Sequence, residues 1–226
     1  MEVRSIPELA YWRYPTQPHL DDLVAKELAP VLNCIGVSGR GQKEPQYQDI
    51  IDRWNSEGKR LVAAGGRVPS YHIPPLSVEK SYQFWEAVDG YSNPKFDAII
   101  VDEFGVGDFP VTDYPIMTKA LRQLTVNRPD KLFYPFVLDI HGIQDVKPFM
   151  EAVIENGAPL VWEWYEREEP SEKRALAKIN DAITQSMVGW NEFLFEAANH
   201  LEICLGYYNE PPESLNNNPA VDFKVW

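Results

Sequence analysis

Seven short apolar segments alternate with segments of helical hydrophobic spacing, and this alternation limits the possible folds more than any other feature of the sequence. Six of the seven are followed by a helical segment, at intervals of roughly 25–35 residues, which is the size of a βα unit. Alternating strands and helices are typical of an α/β protein with a parallel sheet. We therefore predict one α/β domain that includes all 226 residues.

The predicted elements follow one another in a regular order. Strands are expected at 6–14, 33–41 (running into a glycine-rich loop), 59–66, 96–103, 132–140, 159–165 and 201–208. Helices are expected at 20–32, 45–57, 77–89, 114–127, 145–156 and 171–199, the last in two pieces with a break at Gly189.

Such a sheet either stays open and doubly wound or curls into a TIM-type (β/α) barrel. A doubly wound sheet usually carries a phosphate-binding loop after its first strand, but the glycines at 36, 39 and 41 match neither the dinucleotide nor the Walker pattern. We therefore predict the TIM-type barrel. A complete barrel needs eight units in about 250 residues. This chain offers about seven βα units in 226 residues, so the barrel is incomplete unless its tail supplies the eighth.

The stretch Phe96–Gly105 contains the fourth predicted strand, a β-branched apolar run that stops at two adjacent acids, Asp102 and Glu103. In an α/β barrel the carboxyl ends of the strands meet at one mouth, where functional side chains gather. Other polar and aromatic side chains follow the neighbouring strands and are expected beside the two acids. These are Arg40, Arg67, Asp139, His141, Trp162, Glu163, Trp164, Tyr165, Tyr208 and Glu210.

Side-chain alternation refines this list, because residues i and i+2 of a strand share a face. On this basis Glu103 shares a face with Ile99 and Val101, and Asp102 belongs to the other face. We expect Glu103 and Glu163 to point into the mouth, with Glu103 in buried surroundings.

The segment Asp97-Ala98-Ile99-Ile100-Val101-Asp102-Glu103, as the fourth strand of an α/β barrel, resembles the acid-bearing strand of glycoside hydrolases with that fold. In the large retaining group an acid/base Glu ends strand four and follows Asn, where this chain has Asp102. In chitinase-like hydrolases one residue separates the Asp from the Glu, whereas the two acids are adjacent here. The resemblance covers one strand and the general layout, and it implies no particular family.

The resemblance implies a hydrolase that cleaves poly- or oligosaccharides between paired carboxylates, without a metal or cofactor. Glu103 is then the acid/base beside Asp102, and Glu163 or Glu210 is the second carboxylate. In the retaining group the nucleophile ends strand seven, which favours Glu210. The aromatic candidates Trp162, Trp164, Tyr165 and Tyr208 are suited to stacking on sugar rings. Arg40 and Arg67 are suited to the carboxylate or sulfate of an acidic sugar, with Asp139 and His141 as further substrate contacts.

Two other functions remain open at this stage. A metal-dependent sugar isomerase or epimerase would gather Glu103, Asp139, His141 and Glu163 around a divalent cation. A non-catalytic glycan-binding barrel would use the same aromatic mouth without turnover.

Charge and hydropathy exclude several partners. The formal net charge of −13 repels phosphates, so we expect no nucleic-acid partner. No run approaches the roughly 18 apolar residues of a membrane span.

The first residues lack the apolar core of a signal peptide, so secretion or periplasmic export is expected only if a signal has been removed. The oligomeric state is not predicted, and Cys34 and Cys204, inside apolar runs, are expected to be buried thiols.

Overall fold

The computed structural model describes residues 10–11, 32–38, 45–105, 110–166 and 171–207. Seven strands form one sheet in which every neighbouring pair is parallel. They are β1 (Ala10–Tyr11), β2 (Cys34–Ser38), β3 (Arg60–Arg67), β4 (Ala98–Phe104), β5 (Leu132–Val137), β6 (Leu160–Glu166) and β7 (Leu201–Tyr207).

The order of the strands in the sheet is their order in the sequence, from β1 to β7. A doubly wound sheet reverses its strand order at a switch point, and this sheet has no such reversal. The described strands β1 and β7 do not pair with each other. The fold is therefore α/β with the topology of a TIM-type barrel that is incomplete in the described part of the chain, which confirms the predicted fold class.

Six α-helices connect the described strands. They are α1 (Pro45–Ser56), α2 (Val78–Glu86), α3 (Asp89–Ser92), α4 (Tyr114–Asn127), α5 (Lys147–Asn156) and α6 (Glu172–Phe193). Short 3-10 helices lie at Pro69–Tyr71, Val111–Asp113 and Ala197–Asn199. No helix of the described ranges has the length and apolarity needed to cross a bilayer.

Most predicted elements are found within a few residues of their expected bounds, but two helices differ. The segment predicted as one helix at 77–89 is split into α2 and α3. The predicted break at Gly189 is wrong, because α6 continues without interruption to Phe193. The predicted helix at 20–32 lies outside the described residues, except for Leu32, and only two residues of the predicted strand at 6–14 are described.

Both faces of the sheet are buried, which explains the continuous apolar runs of its strands. On one face the helices pack on the sheet; Ile99, Val101 and Phe133, for example, contact buried residues of α2, α4 and α5. The opposite face, called the inner face here, has a core without helical residues. This core consists of Cys34, Val62, Ala98, Ile100, Tyr134, Phe136 and Val161.

The sheet curls around its inner face. The Arg60 guanidinium at the start of β3 donates a hydrogen bond to the Tyr134 hydroxyl on β5, although β4 lies between these strands. The same guanidinium lies 5.9 Å from the centre of the Tyr134 ring. Side chains two strands apart can meet in this way because the strands bend toward one another, as they do in a barrel.

Candidate functional site

A β-bulge near the end of β4 determines the positions of the two predicted acids. Val101 pairs with Pro135 and Phe104 with Val137, so two residues of β4, Asp102 and Glu103, lie opposite one residue of β5. Glu103 has a φ of 75°, in the left-handed region that few residues other than glycine adopt. The bulge therefore presents both acids at the carboxyl edge of the sheet, the edge where the parallel strands end.

The structure agrees with the predicted facing of Asp102, opposite Ile99 and Val101, whereas the bulge interrupts the alternation from which the facing of Glu103 was predicted. Ile99 and Val101 contact the helices, and the extra residue of the bulge brings Phe104 to that same side. Ala98 and Ile100 lie on the inner face, so strand alternation assigns Asp102 to the inner face as well. Glu103 lies in the bulge itself, which is why the two-residue period does not predict its direction.

A second bulge, on β3, brings Arg67 next to these acids. The register shifts between Ala64 and Gly66, so that Gly66 pairs with Val101 and Arg67 with Asp102. A one-residue shift in register moves every following side chain of a strand to the opposite face of the sheet. Without the additional residue, Gly65, position 66 would lie opposite Asp102 instead of Arg67. Position 66 also requires glycine, because a Cβ there would lie 2.5 Å from the Ile100 carbonyl oxygen.

Arg67 lies between the two carboxylates. Its Nη1 atom is 3.5 Å from Asp102 Oδ2 and 3.6 Å from Glu103 Oε2. Asp102 Oδ1 accepts a hydrogen bond of 2.9 Å from the backbone N–H of Glu103. The Arg67 carbonyl accepts a hydrogen bond of 3.1 Å from the indole of Trp85, which is fully buried. Asp102 thus connects the arginine to the bulge backbone, and Trp85 anchors the arginine backbone to the core.

The three side chains differ in exposure. The exposed fraction is 18% for Asp102, 39% for Arg67 and 52% for Glu103. The buried surroundings expected for Glu103 are therefore absent. A ligand at the carboxyl edge can reach the Glu103 carboxylate, whereas both oxygens of Asp102 have contacts within the protein.

Glu163 and Cys204 belong to the inner face. Val161 is part of its core, and Glu163 lies two residues further along β6, opposite Cys204 of β7. Burial, and after it the negative charges of Glu163, Asp102 and Glu202, together raise the pKa of the Cys204 thiol to about 12. Coulomb interactions weaken with distance, so a charge that raises the pKa of this thiol lies close to it. Asp102 of β4 and Glu163 of β6 both do so, and both therefore lie near the thiol on the inner face.

Trp162, Trp164 and His141 lie on the helix side of the sheet. Trp162 is 1% exposed, and its ring centre is 5.7 Å from that of Trp164 and 6.5 Å from that of Trp190. The His141 ring lies 5.0 Å from Trp190. The alternation along β6 that directs Glu163 inward directs Trp162 toward the helices, so its buried ring has no face available to a sugar. His141 Nδ1 is 3.9 Å from Asp139 Oδ1, and Asp139 is exposed.

Several predicted site residues cannot be placed. Arg40, Tyr208 and Glu210 lie outside the described residues, as does the side chain of Tyr165. Within the described ranges, no group of three or more His, Cys, Asp or Glu side chains is arranged to hold a metal ion. The isomerase-like arrangement of Glu103, Asp139, His141 and Glu163 is thus not found there.

Four residues of this region were not predicted from the sequence: Glu202, the glycines Gly65 and Gly66, and Tyr71, an exposed aromatic residue that follows β3. A Gly-Gly pair inside an apolar strand is a known indication of a bulge and was the available signal. Glu202 had no comparable signal, because its face depends on the register of β7.

Comparison with known proteins finds structural likeness but no sequence family. No protein-family model matches the chain, and no curated protein sequence matches it. Three of the similar solved structures are described below.

The chain resembles 3-keto-L-gulonate-6-phosphate decarboxylase from Vibrio cholerae O1 biovar El Tor str. N16961 (TM-score 0.43, 16% identity, 89% of this chain and 78% of that one). It also resembles a psychrophilic glycoside hydrolase family 10 endo-beta-1,4-xylanase (TM-score 0.44, 12% identity, 84% of each chain). The third is the carboxyl transferase domain from Rhizobium etli pyruvate carboxylase (TM-score 0.39, 16% identity, 64% of this chain). The match spans 23% of that last chain. The fold assignment given above rests on the strand order.

Proposed function

We propose that the protein is a hydrolase that cleaves a glycosidic bond of a poly- or oligosaccharide, with Glu103 as the acid/base and Glu163 as the second carboxylate. The observation that carries this proposal is the position of Glu103. It is a half-exposed carboxylate in a left-handed bulge at the carboxyl edge, 3.6 Å from Arg67. Non-glycine residues in such a conformation are found preferentially at functional sites.

The chemistry requires two carboxylates with different roles. Protonated Glu103 donates its proton to the leaving glycosidic oxygen, while the second carboxylate attacks the anomeric carbon or activates a water molecule. Glu163 is the described carboxylate on the inner face whose charge, together with that of Asp102, acts on Cys204. Glu210 remains the alternative second carboxylate proposed from the resemblance.

Asp102 has a positioning role in this proposal. One of its oxygens accepts the Glu103 backbone N–H and the other faces Arg67. It therefore holds the bulge from which the Glu103 side chain extends. The exposed ring of Tyr71, four residues after Arg67, is a candidate for contact with a sugar at the same edge.

The test is a pair of glutamine variants assayed on aryl glycosides and on neutral polysaccharides. General acid/base catalysis contributes about 10²- to 10⁴-fold, so Glu103→Gln should lower kcat/KM by at least about 10²-fold. Glu196→Gln is the matched control, because Glu196 also has a left-handed backbone (φ 51°) but precedes β7, away from the carboxyl edge. Full activity of Glu103→Gln, with circular dichroism showing both variants folded, would refute the proposal.

Glu163→Gln tests the second carboxylate separately. If Glu163 attacks or activates water, this variant also loses hydrolysis on the same substrates. If it keeps full activity while Glu103→Gln does not, Glu163 is not the second carboxylate, and the assignment passes to Glu210.

A further inference from the structure

We infer that Arg67 is a positioning residue, which holds Glu103 in its left-handed conformation and fixes the direction of the Glu103 and Asp102 carboxylates. It is then not a receptor for an anionic group of the substrate, and the substrate at this edge is an uncharged sugar. The catalytic part of this inference rests on the proposed function, but the conformational part does not.

The register of two adjacent strands brings Arg67 next to both acids. Bulges occur on both β3 and β4 near their carboxyl ends. The β3 bulge advances the chain by one residue, so that Arg67 pairs with Asp102 on the inner face. The β4 bulge turns Glu103 out of the strand so that its carboxylate reaches the same guanidinium nitrogen. The contact depends on both bulges together.

The charges around Arg67 disfavour an anionic ligand. The single positive charge of Arg67 lies within 3.6 Å of two negative carboxylates. A sugar carboxylate or sulfate approaching Arg67 would have to displace one of them or lie beside both, and like charges repel at such distances. An uncharged sugar can bind at the exposed Glu103 without disturbing the pair.

The backbone of Glu103 is strained. A left-handed backbone costs about 1–2 kcal/mol for a residue with a side chain, so it persists only where surrounding contacts maintain it. Two contacts that hold Glu103 are the hydrogen bond from its backbone N–H to Asp102 and the ion pair of its carboxylate with Arg67. Arg67 contacts both carboxylates, and its removal is expected to release the bulge.

The test compares Arg67→Gln, Arg67→Lys and, as a matched control, Arg122→Gln in the full chain. Arg122 also pairs with a carboxylate, Glu155, but on the outer surface between α4 and α5. In isotopically labelled protein, the backbone chemical shifts of Glu103 report its left-handed conformation. Arg67→Gln should move these shifts to values typical of an extended strand. Arg67→Lys keeps the positive charge and should retain most of the wild-type values. Arg122→Gln should retain all of them.

The kinetic measurement uses a neutral aryl glycoside. Arg67→Gln should lower kcat by about 10- to 100-fold with KM changed by less than about twofold, because orientation affects the chemical step more than uniform binding. Arg67→Lys should restore most of kcat.

Two results would overturn the inference. Unchanged Glu103 shifts in Arg67→Gln would show that Arg67 does not hold the bulge, whether or not the protein hydrolyses any glycoside. An unchanged kcat of Arg67→Gln on the neutral glycoside, together with a rise in KM confined to uronic-acid or sulfated substrates, would show that Arg67 binds the substrate. If wild-type protein hydrolyses none of the glycosides, the proposed function fails, and the Glu103 shifts still decide the role of Arg67. If Arg67→Gln does not fold, Arg67→Lys decides, and a change in its Glu103 shifts to extended values would contradict a role based on charge.

Discussion

Gly189 of α6 lies directly against the imidazole of His141. A Cβ at position 189 would come within 2.3 Å of His141 Nε2 and 2.4 Å of its Cδ2. The imidazole also lies 5.0 Å from the ring of Trp190. The helix and the loop after β5 can approach this closely because residue 189 has no side chain.

This contact predicts that Gly189→Ala lowers the free energy of unfolding, which is the opposite of the usual effect of this substitution in a helix. In an exposed helix interior, replacing glycine by alanine stabilises a protein by about 1 kcal/mol. Here the methyl group would overlap a ring whose other neighbour is the buried Trp190, so we expect a loss of about 1–3 kcal/mol in the free energy of unfolding. Chemical denaturation measures it.

The control for this prediction is the same substitution in a His141→Ala background. With the ring removed, Gly189→Ala should no longer destabilise and should approach the gain typical of a helix interior. If Gly189→Ala stabilises the wild-type background as well, His141 moves aside freely and the close contact does not constrain α6.

The same glycine shows where sequence reasoning succeeded for the fold and where it failed. Strands buried on both faces appear as continuous apolar runs, so their places and their alternation with helices could be predicted from local composition. The break at Gly189 was predicted from helix propensity alone. Glycine is present there because of a contact with a residue distant in the sequence, and propensity contains no information about such contacts.

For the candidate site as well, some features could be predicted from the sequence and others could not. The acids Asp102 and Glu103 were correctly placed at the end of the fourth strand, because the apolar run stops there. The facing of Asp102 was also predicted correctly, but that of Glu103 could not be, since a two-residue period holds only while strands stay in register. The bulges on β3 and β4 arise from the pairing of neighbouring strands, and of their causes only Gly65-Gly66 is visible in the sequence.

The left-handed backbone of Glu103 predicts a reversed order of stability for two substitutions. In an ordinary strand, glycine is about 0.5–1 kcal/mol less stable than alanine. At a φ of 75° alanine is strained and glycine is not, so Glu103→Gly should be more stable than Glu103→Ala by about 1 kcal/mol.

The matched pair for this comparison is Glu202→Gly and Glu202→Ala, in β7, where alanine should be the more stable. Urea denaturation of all four variants provides the measurement. If alanine is also the more stable residue at 103, the bulge relaxes when the carboxylate is removed and stores no backbone strain. Both substitutions at 103 should abolish hydrolysis, because each removes the carboxylate.

Asn156 lies at the end of α5. Replacing its side-chain amide nitrogen by an oxygen, as in Asn156→Asp, should have a large effect on stability. Its Oδ1 accepts the Phe133 backbone N–H at 2.7 Å, and its Nδ2 donates to the Lys131 carbonyl at 3.1 Å and to Thr125 Oγ1 at 3.2 Å. The side chain is buried. A carboxylate cannot donate, so Asn156→Asp would leave the Lys131 carbonyl facing a negative oxygen.

We therefore expect Asn156→Asp to lower the free energy of unfolding by about 2–4 kcal/mol at neutral pH. Part of this loss should be recovered in acid, where a protonated carboxyl can donate again. Asn55→Asp, at an exposed position of α1, is the control and should have little effect at either pH. An equally small effect at position 156 would mean that the amide does not donate to Lys131.

Cys204 provides a chemical probe of the inner face. Its pKa is raised from an ordinary 9.0 to about 12, first by burial and then by the charge of Glu163. Since the thiolate is the reactive form, alkylation of Cys204 by iodoacetamide at about pH 9 should be slow in the native protein. Glu163→Gln removes the largest charge contribution, so the thiol pKa should fall and the alkylation rate of Cys204, followed by peptide mass spectrometry, should rise by several-fold.

Glu172→Gln, in the exposed first turn of α6, should leave that rate unchanged.

The raised pKa of Cys204 also has a consequence for the stability of the protein. A folded pKa above the unfolded value means that Cys204 stabilises the protein fully below about pH 9 and that this contribution is lost as the pH rises toward 12. Cys204→Ala should therefore flatten the alkaline loss of stability between these limits. If Glu163→Gln changes neither the alkylation rate nor this alkaline behaviour, Glu163 does not share the inner face with Cys204, and the proposed pair of carboxylates loses its second member.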